Sequence, residues 1–397
     1  MPRRQLANIR GEMLAWARES MNLALEEAAQ KIGVKPERLA KWEAGEDRPT
    51  VNQLRKASGA FKRPLAAFFL PEPPKDFDVP HDFRRLPGEA PLTLSPEFIT
   101  AIRRAQYRRA IALDLAEEVV DAPRQFIGSV SRSADVVSVG RNIRELLGVS
   151  LEQQRSWGSH WDALNAWKEA VEGVGVLVFH FAGVDVEEVR AFSLCEEAFP
   201  VIAVNGRDSA SARIFSLLHE FSHLLLGHGG SCDLREARAP RSRDQQIEVF
   251  CNYVAGEVLV PRAALLAHPL VRQPRDLTSW DDRRIQDLAR AFGVSREVIL
   301  RRLLIAGKVS QDFYEAKRDE LRRGREEGGE RARGFLPVPQ RAVRSVGQPF
   351  LRIVVNAYYR EAITASELSE YLGVRLKHLP ALEHLLSGRN VLTGGYR

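Results

Sequence analysis

The stretch FSLLHEFSHLLLGHGG, residues 215–230, constrains this chain more than any other. It sets His219 and His223 four apart in an apolar run, with Glu220 directly after the first histidine. On an α-helix, residues i and i+4 lie one turn apart on the same face, so both imidazoles can address one ion. A neutral imidazole is a good zinc ligand, and a glutamate beside the first ligand can reach a water at the ion. Zinc acidifies such a water and polarises a peptide carbonyl, while Glu220 would take the proton and pass it to the leaving amine. The competing reading is a core helix whose two histidines are merely hydrogen-bonded.

Two histidines do not complete such a site, because a catalytic zinc takes three protein ligands and a water. His228, Cys232, Asp233 and Glu248 compete for the third place. A continued helix would carry His228 about 180° round from His219, and Gly227 makes continuation doubtful. Cys232 and Asp233 fall in the polar segment GHGGSCDLREARAPRSRD, which reads as a loop. Glu248 lies in DQQIEVFCNYVAGEVLVP, a second apolar helix expected to start near Asp244. There Glu248, Asn252, Ala255 and Leu259 share one stripe, and Ala255 with Gly256 permits close helix approach. A carboxylate on a tightly packed second helix completes the set, so Glu248 is the expected third ligand. Cys232 and Cys251 read as plain thiols.

Length and composition frame the rest. A chain of 397 residues exceeds one ordinary core, and its 44% hydrophobic content is enough to build several. Three cysteines at unrelated spacings fit a reducing compartment, and neither a membrane-length apolar run nor a secretory signal is present. The expectation is a cytoplasmic protein with no membrane partner. The net charge of +6 is concentrated in the two basic ends, around a net acidic middle at 76–300, which suits a polyanion at the ends.

Near the N-terminus, ALEEAAQKIG reads as a short helix closed at Gly33. PERLAKWEA reads as a second helix, with Pro36 in its first turn and an end at Gly45. Leu39 and Trp42 face inward, and Lys35, Arg38 and Lys41 face outward as candidate DNA contacts. Two short helices joined by a glycine turn can lay the second in the DNA major groove. With Trp42, Glu43, Gly45 and Pro49 in KWEAGEDRP, this stretch resembles the XRE-type (Cro/C1-like) helix-turn-helix family. It departs at Ala24, where that family favours a capping serine or threonine, and at Pro36 and Glu37, where polar base-reading residues are common. The resemblance implies double-stranded DNA as a partner and a second copy of the chain as a candidate one.

Between 70 and 96 the chain is proline-rich and reads as a crossing. PEFITAIRRAQYRRAIALDLAEEV then gives an amphipathic helix with its arginine pairs expected in solvent. VGVLVFHFAG, EVRAFSL and FPVIAVN read as strands that precede the histidine helix. WDDRRIQDLARAFGVSREVILRRLLIAGKVS gives helix, turn and helix, with a packing role favoured over DNA contact, and ITASELSEYLGVRLKHLPALEHLL repeats the pattern.

FSLLHEFSHLLLGH followed by IEVFCNYVAGEVLVP resembles the ImmA/IrrE family of zinc metallopeptidases. That resemblance implies His219, His223 and Glu248 as ligands and Glu220 as base, in agreement with the reading of the residues. Ser222 stands where most members carry glycine. The expected fold is multidomain and mainly α, with an α+β zincin-like metallopeptidase core and an N-terminal helix-turn-helix bundle. Its segments are a DNA-binding domain at 1–72, a helical connector at 73–155 and a metallopeptidase domain at 156–270. A helix-turn-helix-like extension at 271–325, a flexible linker at 326–345 and a C-terminal helical module at 346–397 follow. The expected function is a DNA-binding regulator with zinc-dependent endopeptidase activity (manganese being the other candidate ion), cleaving a partner repressor to switch gene expression. The alternative is a non-hydrolytic regulator or antitoxin that uses the same fold as a sensor or dimerisation platform.

Overall fold

The computed structural model describes residues 5–74, 94–116, 126–228, 230–231, 243–272, 280–327 and 336–387. It divides into two compact units, Met1–Arg104 and Ala105–Arg397.

The first unit holds α1 (Gly11–Glu19), α2 (Leu25–Ile32), α3 (Pro36–Glu43) and α4 (Val51–Ala60). Helix α2 stops where Gly33 adopts a left-handed φ of 79°, and α3 begins on Pro36. Leu39 and Trp42 are buried, as the spacing requires, while Lys35, Arg38 and Lys41 are exposed. Ala24 gives α2 no side-chain cap, whereas Thr50 and Gln53 form a reciprocal capping box on α4. The KWEAGEDRP residues close the module. Arg18 on α1 donates to both carboxylate oxygens of Glu43 at 2.8 and 2.9 Å, and Trp42 Nε1 donates to Asp47 at 3.3 Å. A planar guanidinium held at two points fixes the end of α3 against α1.

The second unit is built round a four-stranded sheet among the described residues, in the order β1 (Leu177–Phe181), β3 (Val201–Asn205), β2 (Ala191–Leu194), β4 (Gly230–Ser231). β1 runs parallel to β3, and β2 is antiparallel to both β3 and β4. β1 to β3 are rich in β-branched and aromatic residues and are almost wholly buried, as expected of central strands. At the end of β3, the buried Asn205 amide donates to the carbonyls of Val184 and Val189, and the chain turns into the long helix α9 (Ala210–Leu225). Preceding helices are α5 (Pro96–Leu115), which begins in the first unit, α6 (Val136–Leu147), α7 (Leu151–Ser156) and α8 (His160–Gly173). Following α9 are α10 (Arg243–Leu259), α11 (Arg262–Ala267), α12 (Pro269–Arg272), α13 (Asp282–Phe292), α14 (Arg296–Ile305) and α15 (Gln311–Glu327).

One buried apolar cluster runs from Val139 on α6 to Tyr314 on α15. The helices flanking the strands in sequence therefore share a core with them. Gly140 sets the closeness of α6 to α10, since a Cβ there would lie 2.6 Å from Glu257 Cγ. Helix α14 is largely buried. Val298, Ile299, Leu300, Arg301, Arg302 and Leu303 are buried, and Arg302 donates to Val260 O and pairs with Glu257.

Two expectations meet a different outcome. On α5, Arg108 is buried over the Phe179 ring, and Arg109 donates to Ala198 O. These cations cover apolar surface with their stems instead of standing in solvent. Overlapping 326–345, Val338–Val346 forms α16, which packs on β1. Ala342 and Val346 turn its buried face inward, and Lys168 donates to the carbonyl of Arg344 on this helix. Residues 328–335 of that stretch, and most of the proline-rich crossing, lie outside the described residues. Helices α17 (Gln348–Tyr359), α18 (Ala365–Leu372) and α19 (Leu379–Ser387) follow, with Phe350 edge-on to Phe179. No described helix is long and apolar enough to cross a membrane.

Candidate metal centre

Helix α9 starts on a serine cap, Ser209, and is buried nearly all round between the sheet, α8 and α10, polar residues included. Within it His219 and Glu220 are fully buried and His223 is 4% exposed. Polar groups in such a place need partners. The chain leaves the helix at Gly227, whose φ is 70°, as the amide of His228 donates to His223 O at 3.0 Å. His228 is thereby turned onto Leu226 O at 3.1 Å and takes no part in the cluster. Cys232 and Asp233 lie outside the described residues.

Helix α10 packs along α9 and brings Glu248 to the two imidazoles. His219 Nε2 and His223 Nε2 are 3.0 Å apart. Glu248 Oε2 lies 3.2 Å from the former and Glu248 Oε1 3.1 Å from the latter. Among the described residues these three form the one group placed to hold a metal ion. Ligand arms of about 2.0–2.1 Å at tetrahedral angles place donor atoms about 3.3 Å apart, close to these separations.

The protonation pattern bears on the same fit. The Asn252 amide oxygen, 3.0 Å from His219 Nδ1, can only accept, so Nδ1 carries the proton and the Nε2 lone pair faces His223. Two imidazole nitrogens and a carboxylate converging with a lone pair inward make a cation-binding arrangement. Burial pushes the Glu248 carboxyl up, but the His223 charge and the close approach of both imidazoles outweigh it and hold Glu248 at about 2. Burial lowers the His223 imidazole, while Cys251 and Glu248 beside it raise it well above its ordinary value. Burial raises both the Glu220 carboxyl and the Cys251 thiol.

Glu220, next to His219 on the helix, reaches toward β2. Ser193 on β2 donates to its Oε2 at 2.6 Å, and its Oε1 is buried without a hydrogen-bond partner. Sequence reasoning placed Asn252 on the right stripe without giving it a task, and it passed over Ser193. The only signal for Ser193 is a lone hydroxyl in the otherwise apolar strand AFSL. In the first unit, Arg38 is 3.6 Å from Asp47 and stands over the Trp42 ring, while Lys35 holds the N-cap position of α3 without a side-chain bond.

Comparison with curated proteins and with solved structures returned no match. Family models do match two parts of the chain. Residues 14–68, spanning α1 to α4, match a helix-turn-helix model, and residues 171–304, spanning the sheet and α9 to α14, match the model of the IrrE N-terminal-like peptidase domain. The chain thus carries one segment similar to a helix-turn-helix module and, after it, one similar to an IrrE N-terminal-like peptidase domain, the two resemblances read from its sequence.

Proposed function

We propose that this chain is a DNA-binding regulator whose middle domain is a zinc-dependent endopeptidase acting on a partner regulatory protein. The observation that carries the proposal is the convergence of His219, His223 and Glu248 around one point, with Glu220 beside them. His219, His223 and Glu248 would hold the ion. Two imidazoles and one carboxylate favour zinc, since manganese prefers more oxygen. A zinc ion there would polarise a peptide carbonyl and acidify a water. Glu220, with one oxygen unpartnered, is the base that receives the water's proton and returns it to the leaving amine. Burial of His219, Glu220 and His223, with Glu248 partly buried beside them, limits bulk water at the proton transfer and strengthens each charge there.

Lys35, Arg38 and Lys41 on the exposed face of α3 would contact double-stranded DNA, in a module at 1–72. A peptidase tethered to such a module meets other DNA-bound proteins at high local concentration, which favours a repressor as substrate and a cytoplasmic setting. The segments at 156–270 and 346–397 would then supply the peptidase core and a helical module. The test is incubation of zinc-loaded protein with regulatory proteins encoded beside it, alongside Glu220→Gln. Cleavage by the wild type, with none by Glu220→Gln at equal zinc content, is expected. Equal cleavage by the variant would refute the assigned base.

A further inference from the structure

Strand β2 is paired on both sides, its register setting Ser193 opposite Ile202 of β3 and Gly230 of β4. A residue on a strand held on both edges has little backbone freedom. Along β2, Phe192 stacks on Phe181 across one face, so by the period of a strand Ser193 belongs to the other, toward α9. Ser193 is fully buried, in company with Ala191, Phe192 and Leu194. A hydroxyl in such a place is costly unless bonded, and its bond is the 2.6 Å donation to Glu220 Oε2. Glu220 Oε1 is left buried and without a partner.

We infer that Ser193 is a positioning residue: its hydroxyl pins one oxygen of Glu220 to the rigid strand and leaves the other free to take a proton. The inference rests on the peptidase proposal for its catalytic consequence, though not for the hydrogen bond itself. A carboxylate with both oxygens free can rotate about its last bond, and a small misplacement of a base lowers the rate steeply. Pinning Oε2 removes that rotation and selects Oε1 as the reacting atom. Ser193 keeps its own proton throughout, so the proton received by Glu220 has one destination, the leaving amine.

The experiment compares full-length wild type with Ser193→Ala, Ser193→Thr and Ser216→Ala. Ser216 is an equally buried serine on α9 whose Oγ has no partner, so its removal deletes a hydroxyl without touching this bond. Difference infrared spectra against Glu220→Gln isolate the Glu220 carboxyl band without metal or substrate. That band should shift in Ser193→Ala and return in Ser193→Thr, with Ser216→Ala unmoved. On the regulator that the wild type cleaves, kcat should fall about 10–100-fold in Ser193→Ala, with KM and zinc content unchanged, and recover in Ser193→Thr. An unshifted band, or a shifted band with unchanged kcat, overturns the inference while cleavage by the wild type stands. A shifted band with no cleavage by zinc-loaded wild type overturns the peptidase proposal and keeps the pinned carboxylate.

Discussion

Replacing Asn252 with leucine removes the acceptor for His219 Nδ1 while keeping a side chain of similar bulk. The bond is 3.0 Å long, and both residues are fully buried. Leucine strands the Nδ1 proton in an apolar place, a cost of about 1–3 kcal/mol, partly offset because Asn252 Nδ2 is itself buried without a partner. The imidazole can escape that cost by moving its proton to Nε2, the nitrogen that must stay bare to bind an ion. Zinc affinity should therefore fall about 10–100-fold, the usual effect of losing an orienting partner, or about 1.4–2.8 kcal/mol. Asn252→Asp keeps an acceptor at the same place and adds charge, so it should bind at least as tightly as wild type. The assay is competition for zinc against a chromophoric chelator, with melting temperatures of the metal-free proteins measured beside it. An affinity of Asn252→Leu within about twofold of wild type would refute the orienting role, because such roles carry larger effects. Equal losses in the leucine and aspartate variants would show that packing, not the acceptor, matters.

In the metal-free protein, Glu248 is held at about 2 against an ordinary 4.5. A depressed carboxylate stabilises the fold fully above its unfolded value and loses that contribution as pH falls. The melting-temperature gap between wild type and Glu248→Gln should thus close between 4.5 and about 2; a constant gap would refute the His–Glu contact. Gly140→Ala forces a methyl into Glu257 on α10 and should cost about 1–3 kcal/mol in urea unfolding, with unchanged stability refuting the close approach of α6. Lys41→Ala should lower the salt-dependence slope of DNA binding by about 1, as loss of one phosphate contact does, and an unaltered slope would remove Lys41 from the interface.

What could be read from the sequence follows from whether the physics is local. The i, i+4 spacing of His219 and His223 fixes their shared face within one helix, and Gly227 marks where that helix stops before His228 can join. Glu248 was legible because α10 carries a short polar stripe through Asn252 between apolar residues. Ser193 was not, because its task depends on β2 lying against α9, a juxtaposition no periodicity encodes. The same limit hid α16: its apolar spacing Val338, Ala342, Val346 is only two turns long and follows a charged, glycine-containing run. Its helical state comes from packing on β1 and not from local preference. Arg108 shows the converse error, since charge alone predicted solvent while its stem found Phe179.

The site divides its labour between elements in a way that links metal binding to the fold. Helix α9 supplies both imidazoles and Glu220, α10 supplies Glu248 and the orienting Asn252, and β2 supplies the hydroxyl on Glu220. Neither helix can hold an ion alone, because the donors face each other across the α9–α10 contact. That contact places a carboxylate and two imidazoles together, their mutual charge and the partners Asn252 and Cys251 balancing burial. An ion that binds only the assembled pair stabilises it by mass action, by about 2.7 kcal/mol when present at a hundred times its dissociation constant. Gly140, far from the donors in sequence, belongs to the same device. By letting α6 close on α10, it fixes the helix that carries Glu248 and Asn252.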